Sequence, residues 1–231
     1  MLSPPQREAC SDLLAIVDYG SGNLRSVERA VQAALHTLGR DPSEVMLVSD
    51  PEVLLRAERI IFPGQGSMND CMQSLATSGL MPALREVIRE RPFLGICVGE
   101  QMLFAQSEER DTPGLHILPG RVLRFSAARG AVDASGRPLK VPHMGWNAVQ
   151  FVRPHPVTDG LATTSAAWFY FVHSYHAEPQ NPEQVLGQSD YGIRFTCAVA
   201  SDNIVATQFH PEKSAAVGQQ LLANFLRWSP S

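Results

Sequence analysis

Cysteine is scarce in this sequence, and its spacing argues against two common uses of cysteine. Four cysteines are spread over 231 residues, at positions 10, 71, 97 and 197. They form no Cys-x-x-Cys pair or other spacing typical of a zinc site, and a disulfide framework would be unusual in a chain this long. We therefore expect free thiols, a reducing, cytoplasmic location, and no metal or other cofactor.

Long apolar runs and a strong charge of either sign are also absent. No run approaches the roughly 20 apolar residues of a membrane-spanning helix, and a net charge of -4 argues against nucleic acid or an anionic membrane as the main partner. Residues 1–12 are polar and contain proline, unlike a signal peptide, so we interpret them as a short N-terminal extension. Residues 13–231 are long enough to bury one large core, which predicts a single domain.

Strand and helix patterns alternate through the first half of the chain. Apolar, strand-like runs occur at residues 13–17, 45–48 and 59–62, with helical spacing between or after them. In the second half, strand patterns follow one another without long helices, at residues 121–126, 148–152, 167–172 and 196–200. The sequence therefore predicts an α/β fold: a mainly parallel central sheet flanked by helices, with an antiparallel region in its second half. The ligand site of such a sheet lies at the carboxyl ends of its strands.

The most informative segment is GICVGEQ, at residues 95–101. It follows an apolar strand pattern and precedes helical spacing, so we expect Cys97 at a sharp strand-to-helix turn, where nucleophiles are found. Glycines on both sides keep other side chains away from the bend, and a helix N-terminus stabilises the thiolate. Taken alone, this pattern fits a small buried cysteine equally well.

A candidate base follows another strand pattern, in the segment HPEKS at residues 210–214. A thiol nucleophile needs a base to take its proton and to protonate the leaving amine, and histidine suits both steps. Glu212 can hold the imidazole of His210 in one orientation. Cys97, His210 and Glu212 thus form a candidate triad, although His-Pro-Glu alone would more often be a surface turn.

A third segment, PGQGSM at residues 63–68, follows the strand pattern that ends at residue 62. Its two glycines permit unusual backbone angles and close approach of main-chain N–H groups to a substrate. We expect the amides near Gly64 and Gln65, with that of Val98, to bind the oxyanion formed when a carboxamide is attacked. A Pro-Gly-x-Gly segment alone is usually a simple turn, but all three segments end predicted strands.

These residues resemble a known family. GICVGEQ and HPEKS are similar to class I (triad) glutamine amidotransferases, which hydrolyse glutamine and pass the ammonia to a synthase. Within that class, the chain is similar to the glutaminase subunits of imidazole glycerol phosphate synthases, of histidine biosynthesis, in IVDYGSGNLRSV (16–27), PHMGWN (142–147) and YFVHSY (170–175). The resemblance spans roughly residues 13–228. Glu100 departs from it, because methionine is common at that position.

The resemblance implies further roles. Gln101 and the backbone of Ser174 and Tyr175 would hold the amino-acid end of glutamine, and Trp146 and Lys213 would face the synthase. The implied partner is a cyclase subunit, in a heterodimer joined by an ammonia channel. It would convert an aminoimidazole carboxamide ribonucleotide intermediate to imidazole glycerol phosphate and AICAR.

Other interpretations stay open at this stage. The chain could supply ammonia to a different acceptor, such as an anthranilate or pyridoxal phosphate synthase partner, or be a regulatory subunit that retains the triad. A dinucleotide site is disfavoured because Arg25 replaces the third glycine of the fingerprint. Trp146 and Trp168 fit the core, where large aromatic residues usually lie, and Trp146 also fits an interface.

Overall fold

The computed structural model of the protein describes residues 13–20, 22–161 and 166–230. Within these residues, the parallel half of the sheet contains five strands in the order β2, β1, β3, β4, β13. Their bounds are Val45–Val48 (β2), Leu14–Val17 (β1), Arg59–Gly64 (β3), Phe93–Cys97 (β4) and Ile204–Thr207 (β13). β1, β4 and β13 are buried along their whole length, as expected of parallel strands covered on both faces. The predicted extension at residues 1–12, and Ser21, lie outside the described residues.

Mainly antiparallel strands extend this sheet, as the sequence predicts, although β5 and β7 pair in parallel. β12 (Arg194–Ser201) pairs with β13, and the sheet continues through the strands Tyr175–Pro179 (β10), Gly120–Arg124 (β7), Gln106–Ser107 (β5) and Thr112–Pro113 (β6). β11 (Val185–Asp190) pairs with β12 and with β8 (His143–Phe151), and β8 pairs with β9 (Ala167–His173). β8 begins five residues before its predicted start at residue 148. The glycine and tryptophan of PHMGWN therefore belong to a strand.

Six α-helices accompany the sheet within the described residues. They are Leu24–Thr37 (α1), Pro51–Leu55 (α2), Met68–Thr77 (α3), Met81–Val87 (α4), Val98–Gln101 (α5) and Ala215–Arg227 (α6). Ser67 begins α3 by accepting a hydrogen bond from the backbone N–H of Asp70, which satisfies a donor left free at a helix start. α1 and α6 pack against each other, as do α2 and α4. In the described part of the chain, no helix is both long and apolar enough to cross a bilayer.

The fold brings three strand ends together. Gly64 at the end of β3 pairs with Cys97 at the end of β4, and Thr207 at the end of β13 pairs with Ile96. These strands run in parallel, so their carboxyl ends lie at one edge of the sheet. The predicted fold class is confirmed, and the loop at this edge is where a ligand site is expected.

Candidate active site

The chain turns sharply at Cys97, where β4 ends and α5 begins. Cys97 has φ 57° and ψ −113°, a conformation that residues other than glycine rarely adopt. Gly99 must lack a side chain, because a Cβ there would collide with the carbonyl oxygen of Phe62. The backbone is therefore held in a strained turn by the neighbouring strand, as at a nucleophile.

The helix after Cys97 is shorter than its sequence pattern indicates. α5 has only four residues, and Cys97 is 4% exposed rather than open to solvent. A helix this short sums few peptide dipoles, so it stabilises a thiolate less than the sequence led us to expect. A neighbouring cationic imidazole is then the stronger source of stabilisation.

His210 supplies that imidazole, and Glu212 orients it. Nδ1 of His210 lies 2.8 Å from Oε1 of Glu212, and both side chains are buried. Burial alone would lower the pKa of His210, but its contacts with Cys97 and Glu212 outweigh burial and raise that pKa. Among the described residues, Nε2 has no hydrogen-bond partner of standard geometry. It is thus the ring nitrogen left to exchange a proton with the thiol.

Ser214 holds the His210 segment in place, a role the sequence did not reveal. Its Oγ donates to the carbonyl oxygen of His210 at 2.6 Å and accepts from the backbone N–H of Tyr170 at 3.0 Å. The backbone N–H of His210 donates to the carbonyl of Tyr170 at 2.9 Å. The base is thereby attached to β9, so its position depends on the antiparallel half of the sheet.

A cavity of about 290 Å³ opens beside Cys97 and His210. It is lined by most of the residues that we assign to the site from the sequence. The lining residues are Gln65, Gly66, Cys97, Val98, Gln101, Glu109, Pro142, Val172, His173, Ser174, Tyr175, His210 and Lys213. Glu212 lies behind His210, and Gly64 and Trp146 are also outside this lining.

The two glycines of the predicted oxyanion loop have different roles. Gly64 is part of β3, and a Cβ there would lie 2.7 Å from the backbone nitrogen of Gly99. Gly66 has φ 93° and open space around it, so it needs glycine for its backbone conformation. The expectation that both glycines provide unusual backbone angles is therefore corrected, since Gly64 is required for close packing against the turn at Cys97.

The glycine-rich turn after β1 supports the same loop. The hydroxyl of Tyr19 donates to the carbonyl oxygen of Pro63 at 2.8 Å. A Cβ at Gly22 would lie 3.8 Å from Cβ of Pro63. This turn packs against the start of the predicted oxyanion loop.

Two further polar residues of the site were missed in the sequence. Glu109 lines the cavity, and its Oε2 accepts from the backbone N–H of Met68 at 2.6 Å. Gln208 is fully buried; its Oε1 accepts from Nε2 of Gln101 at 2.9 Å, and its Nε2 lies 3.8 Å from Sγ of Cys97. Gln208 follows a buried strand and precedes His210, which is the signal that could have found it.

An exposed aromatic face lies on the β8–β9 hairpin. Trp146 is 50% exposed and Trp168 is 56% exposed. In the pairing of the two strands, Trp146 faces Tyr170 and Ala148 faces Trp168, so both tryptophans are on one side. The expectation that Trp168 fits the core is wrong, because its strand turns it away from the core. Lys213 is close to this face: its Nζ lies 6.0 Å from the ring centre of Tyr170.

Glu100, the departure from the family pattern, lies in the interior rather than in the cavity. It is fully buried, and among the described residues neither carboxylate oxygen has a hydrogen-bond partner. Burial raises its pKa well above the usual value for a glutamate. Burial therefore favours the neutral, protonated form of this side chain. Among the described residues, no group of three or more His, Cys, Asp or Glu side chains could hold a metal ion.

Comparison with known proteins agrees with this geometry. The family model described as "Glutamine amidotransferase class-I" matches residues 15–228. Imidazole glycerol phosphate synthase subunit HisH of Aromatoleum aromaticum is 51% identical over 94% of this chain and 99% of its own length. The subunit of the same name from Neisseria meningitidis is 49% identical over 93% of this chain and 99% of its own.

Solved structures show the same fold at lower identity. A crystal structure of a glutamine amidotransferase has a TM-score of 0.67 at 19% identity, covering 93% of this chain and 97% of that one. A putative GMP synthase component from Thermoplasma acidophilum has a TM-score of 0.65 at 20% identity, covering 94% of each chain. The fold, the turn at Cys97 and the two HisH relatives matched over nearly their full length all agree. The chain therefore belongs to the class I glutamine amidotransferase family and, within it, to the imidazole glycerol phosphate synthase subunits named HisH.

Proposed function

We propose that this chain hydrolyses glutamine to glutamate and ammonia with Cys97 as nucleophile, and delivers the ammonia to a cyclase subunit of imidazole glycerol phosphate synthase. One observation carries the proposal: Cys97, on its strained turn, lines the same cavity as His210, and His210 is paired with the buried Glu212 behind it. This arrangement provides a nucleophile, a base and a group that orients the base.

The reaction follows from these positions. His210 takes the proton of the Cys97 thiol as the sulfur attacks the side-chain carbonyl carbon of glutamine, and a tetrahedral oxyanion forms. The carbon–nitrogen bond then breaks as His210 gives this proton to the amide nitrogen, which leaves as ammonia, and a thioester remains. His210 next takes a proton from water, whose oxygen attacks the thioester carbon, and returns that proton to the sulfur as the carbon–sulfur bond breaks and glutamate is released. Glu212 stabilises the imidazolium through both steps.

Backbone amides supply the oxyanion site in this proposal. Gln65 and Val98 line the cavity on the side of Cys97, and Gly64 lies just before Gln65 in β3. An N–H group aimed at the oxyanion stabilises the charge that develops during attack, and losing one such donor costs about 10² to 10³ in rate.

Other polar groups in the lining of the cavity suit the amino-acid end of glutamine. Gln101 and the backbone of Ser174 and Tyr175 would bind it, as the family resemblance implies. Glu109 adds a carboxylate in the same lining, which can pair with the α-ammonium group of the substrate. The cavity of about 290 Å³ is at the small end of ligand sites, as expected for an amino acid.

The aromatic face of β8 and β9 is the proposed surface for the cyclase. The similar HisH proteins are named as subunits of imidazole glycerol phosphate synthase, so the acceptor chemistry is assigned to a second subunit. Exposed tryptophans are typical anchors of protein interfaces. The ring of Trp146 lies 6.3 Å from that of Tyr170, and Lys213, close to Tyr170, lines the cavity.

The test is Cys97→Ser in the complex with the cyclase. We expect glutamine-dependent product formation to be lost while the reaction with added ammonium salt continues, because the cyclase site is unchanged. A glutamine-like electrophile should label Cys97 and leave Cys71 and Cys197 unmodified. Glutamine hydrolysis that persists in Cys97→Ser would refute the assignment of the nucleophile.

A further inference from the structure

Asn147, on strand β8, has an amide whose orientation is fixed by its own hydrogen bonds. Its Oδ1 accepts from the backbone N–H of Ala148 at 2.8 Å, and its Nδ2 donates to the carbonyl oxygen of Asp190 at 2.8 Å. Exchanging the two atoms would put an oxygen against the carbonyl of Asp190, so the amide has one acceptable orientation. The same Nδ2 lies 3.2 Å from Nε2 of His143.

This orientation determines where the protons of two buried histidines lie. Since Nδ2 of Asn147 can only donate, Nε2 of His143 accepts, and neutral His143 carries its proton on Nδ1. That Nδ1 lies 2.9 Å from Nε2 of His173, which must accept in turn. His173 therefore carries its proton on Nδ1, which lies 2.7 Å from the carbonyl oxygen of Tyr175.

The opposite end of the chain of hydrogen bonds requires the same arrangement. A carbonyl oxygen can only accept, so Tyr175 by itself places the proton of His173 on Nδ1. Burial lowers the pKa of His143 to about 4 and is the main cause that lowers the pKa of His173 well below the usual value. Both rings are therefore neutral, with every hydrogen bond donated from β8 toward the cavity.

Aromatic packing keeps the two rings in place. The ring centre of His143 lies 4.2 Å from that of Tyr191 and 4.9 Å from that of Phe171, with stacked geometry in both pairs. His173 meets the edge of Phe125 at 5.3 Å. These contacts fix the plane of each ring, and the hydrogen bonds at both nitrogens select which way round the ring lies.

We propose that Asn147, His143 and His173 are positioning residues for glutamine, which act by holding the carbonyl of Tyr175 in the cavity. That carbonyl oxygen also accepts from Nε2 of Gln101 at 3.4 Å. Holding it in place therefore positions both the Tyr175 backbone and the Gln101 side chain, two of the groups assigned to glutamine. The inference rests on the proposed function, in which this cavity binds glutamine. Asn147 is next to Trp146 on β8, so the first donor of the series stands beside the proposed cyclase surface.

The tautomers are directly measurable. Nitrogen-15 NMR of the imidazole rings, on the full chain alone and in the cyclase complex, should show the Nδ1–H form for both His143 and His173. Assignment would use the spectra of His143→Asn and His173→Asn. The Nε2–H form at either residue would overturn the proposal, whatever the activity of the protein.

Two substitutions of His173 separate positioning from general packing. Asn places an amide group near the Nδ1 position and can still donate to Tyr175, whereas Gln places its amide near Nε2 and leaves Tyr175 without this donor. Loss of one such hydrogen bond should raise the KM for glutamine about three- to tenfold in His173→Gln. The kcat should change less, because the bond serves ground state and transition state alike. His173→Asn should recover most of the loss.

Asn147→Asp provides a second test with almost no change in shape. A carboxylate cannot donate to His143, so the hydrogen bonds must reverse or a histidine must become protonated, and KM should rise as in His173→Gln. His155→Gln, a histidine outside this series, is the control and should leave KM unchanged. Equal KM values in wild type, His173→Gln and Asn147→Asp would overturn the positioning role. Absence of glutamine hydrolysis by the wild-type complex would instead contradict the proposed function.

Discussion

Gly64 and Cys97 lie opposite each other at the ends of two paired parallel strands, β3 and β4. A Cβ added to Gly64 would come within 2.9 Å of Cβ of Val98 and 2.7 Å of the backbone nitrogen of Gly99. The start of the predicted oxyanion loop and the nucleophile turn are thus in direct contact. A change at Gly64 is expected to disturb both.

Because of this contact, we expect alanine substitutions of Gly64 and Gly66 to have different effects on the reactivity of Cys97. Gly64→Ala should slow both glutamine hydrolysis and the alkylation of Cys97 by iodoacetamide, because the added methyl displaces the turn. Gly66→Ala has room for its methyl but strains the loop at φ 93°, so it should lower glutamine hydrolysis by up to about 10²-fold through a misplaced oxyanion donor. Alkylation of Cys97 in Gly66→Ala should stay near the wild-type rate. Normal alkylation in Gly64→Ala would contradict the packing argument.

The loop also provides a means of control. We expect the isolated chain to hydrolyse glutamine slowly, because rotation of one peptide near Gly66 would move an N–H group out of the oxyanion site. Binding of the cyclase with its nucleotide ligand would favour the active arrangement through differential contacts. Steady-state rates of the chain with and without the liganded cyclase test this. Equal rates would rule out control by the partner.

Glu100 should reduce the stability of the fold. Its buried carboxyl lacks hydrogen bonds, and an unsatisfied buried polar group costs about 1–3 kcal/mol. Glu100→Met should therefore raise the free energy of unfolding by about that amount, measured by urea denaturation at neutral pH. The raised pKa of Glu100 means that the folded state retains a proton that the unfolded state loses above pH about 4.5.

The stability gain in Glu100→Met should consequently increase as the pH rises from about 4.5. Glu100→Gln is the matched control, since it removes the ionisation but leaves a buried polar group. It should flatten the pH dependence and stabilise less than methionine. If Glu100→Met proved less stable than wild type, the argument that the carboxyl of Glu100 is unsatisfied and costs stability would be wrong.

Buried histidines should make the protein sensitive to acid. The pKa values of His143 and His155 are lowered to about 4, mainly by burial. The unfolded chain takes up these protons near pH 6.5 and the folded chain only near pH 4, so stability should fall as the pH drops through this interval. His155→Gln should show a shallower fall in its urea midpoint than wild type.

Trp146 should anchor the cyclase. Truncation of a central interface tryptophan commonly costs 2 kcal/mol or more, so Trp146→Ala should weaken association at least about tenfold. Escaping ammonia would appear as glutamate formed in excess of product. Met46→Ala removes a side chain that is also exposed, at 49%, but on β2 and therefore away from the hairpin, and it should bind normally. Wild-type affinity in Trp146→Ala would remove this residue from the interface.

Local patterns in the sequence were sufficient for the fold class and for the sharp turn at Cys97. Alternation of apolar residues locates strands, and glycine on both sides of Cys97 marks the turn, because backbone geometry depends on adjacent residues. The loop of Gly64 and Gln65 and the segment of His210 were found in the same way, since each directly follows a buried strand.

Relationships between distant segments required the tertiary structure. The exposure of Trp168, the packing of Gly64 against Gly99, and the hydrogen bonds from Asn147 through His143 and His173 depend on the register of paired strands. Shifting a strand by one residue turns each side chain to the opposite face, and no local pattern specifies that register between residues 20 or more positions apart. Residue types and strand ends are therefore determined by the sequence itself, whereas the direction of each side chain and the partner of each polar atom are decided by how the strands pair.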